Sequence, residues 1–357
     1  MTSQSLSSHP ADSEHPGSEQ VPGRAPGLRR LDVALPGGRP RLAVRTAQRP
    51  GRAFLLVHGL ASNARLWDDV AESLAGAGHQ VVAVDQRGHG LSAEPDGGYD
   101  TDTCADDLAA LIGALGLDRP VVAGQSWGGN VVLSLAARHP DLVGAVCCVD
   151  GGWIRLADRF ADFEQCWAVL EPPRFDGLRF ADVADRIRRG LAGWPPAGIE
   201  GTLANLVELP GGGVRARLRR EHHRDIVRSL YEGDPAAWYP RIRVPVLLCP
   251  ATGPDPGPDG PPDGQDPATQ RARATRAAVR QALRELPDAQ VRWYPGAHHD
   301  LHAEQPDRLA ADLLDLAARV DVPAKNERSE RTDQHSERSE RTDQHSERTG
   351  TIGEEEA

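Results

Sequence analysis

Lysine is almost missing from this chain. Of 41 basic residues only Lys325 is a lysine, and Met1 is the single methionine, which suggests a GC-rich coding bias more than a function. No run of 18 or more apolar residues occurs, so no transmembrane helix is expected. The first twenty residues, MTSQSLSSHPADSEHPGSEQ, lack a basic stretch followed by an apolar one. No secretory signal is therefore expected, and the cytoplasm is the expected location. Cysteines number five, an odd count, and three lie in the apolar runs AVCCVD and VLLCP, where a thiol behaves as a small hydrophobe. Cys147 and Cys148 are adjacent on a strand and point to opposite faces, which disfavours pairing. No Cys/His spacing suggests zinc, so no metal is expected. Positive charge is also in deficit: 52 acidic residues give a net charge of −11, the wrong sign for a phosphate backbone. No nucleic acid and no membrane is expected as a partner, only a small-molecule substrate. Oligomeric state is left open.

What remains is organised in five stretches. Residues 1–28 are rich in Ser, Pro, Gly and Glu with almost no large apolar side chains, and read as a disordered tail. At the other end, residues 321–357 hold a decapeptide, ERSERTDQHS, that occurs twice from Glu327 and begins a third time at Glu347. Without apolar positions this repeat cannot build a core and reads as a low-complexity tail. The tail carries −5 of the charge, from eleven acids and six bases. Between the tails, LDVAL and RLAVR joined by Pro36-Gly37-Gly38 predict an antiparallel hairpin. The strands AFLLVHG, HQVVAVD, PVVAGQ and LVGAVCCVD then alternate with helices over about 66–78, 100–117 and 127–138. Alternation stops after Asp150 and resumes with VPVLLCP, a helix over about 268–286, the strand QVRWYPG and a helix over 305–320. Repeated β-α units imply an α/β fold, a mainly parallel sheet with helices on both faces. Residues 29–150 and 241–320 form its two parts, and residues 151–240 form a helical insertion at the strand ends, where open α/β sheets carry their sites.

Gly124-Gln125-Ser126-Trp127-Gly128 matches G-x-S-x-G between a strand and a helix. A serine on such a turn adopts a strained backbone, and glycines two positions away relieve the crowding. The turn exposes the hydroxyl and aims the helix N-terminus at it, which favours the anion formed during attack.

With these residues the sequence resembles the α/β-hydrolase superfamily. His58-Gly59-Leu60 is similar to the family's oxyanion-loop His-Gly. Asp85-Gln86-Arg87-Gly88-His89-Gly90-Leu91-Ser92 is similar to its D-x-R-G-H-G-x-S turn. Gly296-Ala297-His298-His299 followed by Glu304-Gln305-Pro306 is similar to its terminal segment. The resemblance implies Ser126 as nucleophile, His299 as general base (His298 is its neighbour and rival), and the backbone N–H groups of Leu60 and Trp127 as the oxyanion hole. His58 and His89 are expected to hold loops. The family order places the acid between serine and histidine, and two residues remain open: Asp150, at the end of AVCCVD, and Asp255, in the Pro/Gly-rich stretch ATGPDPGPDGPPDGQDP. No cofactor is implied.

Ten of the sixteen aromatic residues fall within 151–240. Most are expected to form the insertion's own core, with Trp153, Trp167 and Phe163 lining a substrate pocket. His222-His223, in RARLRREHHRD, reads as part of a solvated helix face. A serine nucleophile points to acyl transfer and away from relatives that attack with aspartate, such as haloalkane dehalogenases and epoxide hydrolases. The expected activity is therefore cleavage of a small, largely apolar carboxylic ester or related acyl compound through an acyl-enzyme. The rivals are perhydrolysis, C–C bond hydrolysis or a lyase step on the same fold, and a ligand-binding member without turnover.

Overall fold

The computed structural model of the chain describes residues 27–253 and 267–320. Both expected tails, apart from Gly27 and Leu28, lie outside the described residues, as do Asp255 and the other aspartates of its loop. The chain opens with a hairpin of β1 (Arg29–Val33) and β2 (Leu42–Ala47), then runs β3 (Gly51–Val57), α1 (Asp68–Gly76), β4 (His79–Val84), α2 (Thr101–Leu115), β5 (Val121–Gln125), α3 (Trp127–Arg138) and β6 (Ala145–Val149). The inserted stretch holds α4 (Phe163–Leu170), α5 (Phe180–Gly190), α6 (Pro196–Leu203), a small hairpin of β7 (Leu206–Glu208) and β8 (Val214–Ala216), and α7 (Arg220–Glu232). The sheet then resumes with β9 (Val246–Cys249), α8 (Pro267–Glu285), β10 (Ala289–Val291), the short α9 (Leu301–Glu304) and α10 (Pro306–Val320).

Eight strands form one sheet in the order β1-β2-β4-β3-β5-β6-β9-β10, antiparallel at β1-β2-β4 and parallel from β4 onward. The central strands read as continuous apolar runs because both faces are covered. Successive residues alternate between two cores: Leu55, Val57 and Cys148 face the side of α2 and α3, while Phe54, Leu56 and Cys147 face α1 and α10. All five cysteines are free and buried, and burial pushes the Cys148 and Cys249 thiols up. Helix ends follow their sequence signals. Asp100 caps α2 by accepting from the Thr103 amide at 2.8 Å, and Gly116 closes it with φ of 61°. No helix among the described residues is long and apolar enough to cross a membrane.

Strand β10 is shorter than QVRWYPG suggests. Ala289–Val291 pair with β9, and beyond them an isolated bridge joins Tyr294 to Ala251, so the chain stays beside β9 up to the loop that carries His298 and His299.

Candidate active site

Among the described residues four other than glycine have positive φ, and three of them stand at the C-terminal ends of adjacent strands: Ala61 (55°) after β3, Ser126 (54°) after β5, and Asp150 (43°) after β6. Such conformations cost on the order of 1–3 kcal/mol each and cluster where surrounding structure over-determines them. Ser126 occupies the N-cap position of α3, yet its hydroxyl makes no capping hydrogen bond. Instead its Oγ lies 2.8 Å from His299 Nε2. The turn is crowded: a Cβ on Gly128 would sit 2.5 Å from the His58 carbonyl oxygen, and one on Gly124 would overlap the Gly128 backbone. The motif glycines are therefore required by close approach of α3 to β3 and β5.

His299 Nδ1 lies 2.6 Å from Asp150 Oδ2, and the Asp150 side chain is 5% exposed. The same oxygen accepts from Arg271 at 3.3 Å, while Oδ1 accepts from the Ala251 amide at 3.1 Å. With Nδ1 donating to a carboxylate, Nε2 is left as the acceptor for the serine hydroxyl. Gln125 Nε2 donates to the His299 carbonyl at 3.1 Å and steadies the loop from below. His298 points elsewhere: its amide and Nδ1 both meet Glu304, at 2.7 and 2.9 Å, and the side chain is 58% exposed. Burial and the nearby Asp150 raise the pKa of Asp300, with His299 pulling the other way.

Among the described residues, neither the Leu60 nor the Trp127 N–H donates to a protein acceptor. His58 and His89 are fully engaged with backbone. His58 Nε2 accepts from the Gln86 amide at 3.0 Å, and His89 Nε2 accepts from the Ala61 amide at 3.2 Å, fixing the loop after β3. Burial lowers the pKa of both, which suits neutral rings that accept from amides.

The aromatic side chains of the inserted stretch take a different place from the expected one. Phe163 and Trp167 are buried between α4 and α7, where Arg228 lies 3.8 Å over the Phe163 ring and Arg220 5.1 Å over Trp167. Trp153 packs half-buried on the main core. None of the three borders the cavity of about 250 Å³ that lies beside Ala61, Ser62 and His89; its aromatic wall is Phe175. The reason is that a short insertion must first cover its own helix contacts. A larger cavity of about 580 Å³, between α2 and α7, contains none of the residues just described around Ser126.

His222 and His223 are likewise not on a solvated face. They are 3% and 8% exposed, with His222 stacked on Tyr99 at 4.0 Å and His223 Nε2 bonded to the Leu170 carbonyl at 3.0 Å. They continue the apolar stripe of Ile226, Val227 and Leu230, whose four-residue spacing was the available signal. Arg271 and Gln125 were not singled out from the sequence. Gln125 lies inside the G-x-S-x-G segment, whereas Arg271 sits in an arginine-rich helix where nothing distinguishes it. Among the described residues no cluster of three or more His, Cys, Asp or Glu is arranged to hold a metal ion.

The family profile described as alpha/beta hydrolase fold matches residues 52–192. Over 122 residues the chain is 38% identical to 2-(acetamidomethylene)succinate hydrolase of Mesorhizobium japonicum, covering 34% of this chain and 42% of that protein. Over 171 residues it is 33% identical to epoxide hydrolase A of Mycobacterium tuberculosis, covering 44% and 53%. The chain thus spans about half or less of the curated relatives it matches. A solved structure of E-2-(acetamidomethylene)succinate hydrolase superposes with a TM-score of 0.63 at 24% identity, over 82% of this chain and 99% of that one. A thioesterase domain from the curacin biosynthetic pathway gives 0.62 at 18% identity, over 80% and 99%.

Proposed function

We propose, from the premise that this chain belongs to the α/β-hydrolase superfamily, that it is a serine hydrolase cleaving a small, largely apolar carboxylic ester or related acyl compound. The observation that carries the reading is the continuous hydrogen-bonded chain from Ser126 Oγ through His299 to Asp150, at 2.8 and 2.6 Å.

In this reading His299 Nε2 takes the Ser126 proton as Oγ attacks the acyl carbon. Asp150 holds the imidazole in the required tautomer and steadies the imidazolium that forms. The tetrahedral oxyanion lies against the Leu60 and Trp127 N–H groups, and one such donor is worth about 3–4 kcal/mol in the transition state. His299 then gives its proton to the departing alcohol, and an acyl-Ser126 ester remains. Water enters, His299 deprotonates it, and the acid is released with Ser126 regenerated. The segment between β6 and β9 acts as a cap over the strand ends. Asp150 takes the role of the acid in preference to Asp255, because it is buried and held by the Ala251 amide.

Incubation with a fluorophosphonate probe followed by peptide mapping tests this. The expected adduct is on Ser126, absent in Ser126→Ala, together with turnover of 4-nitrophenyl esters. An intact protein that neither labels at Ser126 nor turns over any such ester would overturn the reading.

A further inference from the structure

The cavity of about 250 Å³ begins one residue beyond Leu60, at Ala61. Its core-side wall includes Ala61, Ser62 and His89, and its other walls come from the inserted stretch. Gly59 packs so closely on the nucleophile turn that a Cβ there would lie 2.9 Å from Ser126 Cβ, and the His89 ring is 5.9 Å from that of Trp127. The loop that follows β3 thus packs on the nucleophile turn at Gly59 and lines the cavity at Ala61 and Ser62. At roughly 30 Å³ per water the cavity holds about eight water-sized groups, the size of a short acyl chain.

Phe175, Ile187, Leu206 and Leu218 line it together with six polar side chains; His89, Thr202, Asn205 and His223 are hydrogen-bonded within the protein, which leaves Ser62 and Arg217. Ser62 is 8% exposed, and its Oγ has no hydrogen-bond partner among the described residues. A buried hydroxyl left in that state costs about 1–3 kcal/mol unless something binds it. The other group is Arg217, which follows β8. Its Nε donates to the Ala204 carbonyl at 3.1 Å, leaving the two terminal nitrogens with no carboxylate within ion-pair distance among the described residues. Burial and the Arg215 charge disfavour its protonated form. Asp85 works against this from a distance, but its own oxygens are taken by the Ala64 and Leu91 amides. Arg217 also borders a second cavity of about 380 Å³, as do Gly90 and Leu206, which lie between the two.

We propose that Arg217 and Ser62 form a carboxylate subsite, so that the substrate class is a half-ester or half-amide of a short dicarboxylic acid. A planar carboxylate matches the two free N–H arms of a guanidinium, and the Ser62 hydroxyl supplies a further donor. The apolar walls take the intervening methylenes. Leu60 and Ser62 lie within about 7 Å of each other along the chain, which fits a linker of a few carbons between the two carboxyl carbons. This rests on the reading of Ser126 as nucleophile for the turnover but not for the binding, and the test separates the two.

Binding is measured calorimetrically on the full chain carrying Ser126→Ala, with monomethyl glutarate and dimethyl glutarate as probes. The anionic probe is expected to bind at least tenfold tighter at low salt. Adding Arg217→Met abolishes that preference, Arg217→Lys keeps part of it, and Ser62→Ala weakens it a few-fold. With the native serine, the ratio of kcat/KM for 4-nitrophenyl hemiglutarate over 4-nitrophenyl pentanoate falls at least tenfold in Arg217→Met. Equal affinity for the two probes overturns the subsite, as does an unchanged preference in both Arg217→Lys and Ser62→Ala. Should neither ester turn over while the anionic probe is still preferred, the subsite stands and the nucleophile reading fails.

Discussion

Asp150 Oδ2 serves His299 and Arg271 together, while Oδ1 takes the Ala251 amide, so the carboxylate is held from three elements at once. Replacing it by asparagine keeps the shape but turns a donor toward His299 Nδ1 and fixes the wrong tautomer. Asp150→Asn is expected to lower kcat by about 10²–10⁴, with KM nearly unchanged, in 4-nitrophenyl ester assays. A loss under threefold would remove Asp150 from the proposed triad. The positions proposed for nucleophile, base and oxyanion hole (Ser126, His299, Leu60 and Trp127) can be named from sequence because each is tied to a short motif. Asp150 and Asp255 could not be separated that way: chain order allows both, and only the position of β6 beside β5 puts one of them against the imidazole. Arg271 was illegible for the same reason, since it meets Asp150 across 121 residues.

Elements follow the sequence closely where a periodic apolar pattern meets a capping signal, as in α2. They depart from it where tertiary contact decides, as in α7 with its buried histidines. The contact between α3 and β3 is one of the close backbone approaches that position the site. Gly128→Ala would put a methyl group 2.5 Å from the His58 oxygen and 2.6 Å from that of Val57. Both are backbone, so α3 must move, at a cost of about 1–3 kcal/mol. The expected result is a melting midpoint several degrees lower and slower turnover. Gly113→Ala is the matched control on α2, where a Cβ meets nothing within 4 Å; it should stabilise by about 0.5–1 kcal/mol. Equal effects of the two substitutions would refute the close-approach argument.

For the whole molecule, acid is the expected weakness. His302 is fully buried against Trp67, with centroids 4.6 Å apart, and burial followed by the nearby His299 pushes its pKa down to about 3. An unfolded histidine titrates near 6.5, so between about pH 6.5 and 3 the unfolded chain binds a proton that the folded one refuses. Stability is therefore present above pH 6.5 and is lost as pH falls through that window, by up to about 1.4 kcal/mol per pH unit for this group. Denaturant titrations from pH 7 to 5 should show the decline, and His302→Leu should flatten it. An identical slope in the variant would show that His302 does not contribute. The left-handed backbone at the strand ends bears on the same stability from another direction. Ser126 holds φ of 54° with ψ of −123°, a region that favours glycine. Ser126→Gly should therefore melt several degrees above Ser126→Ala, although both lack the hydroxyl, and equal midpoints would argue against strain. Selection for a sturdier fold would erode the turn first, so the nucleophile sits where stability and activity trade directly against each other.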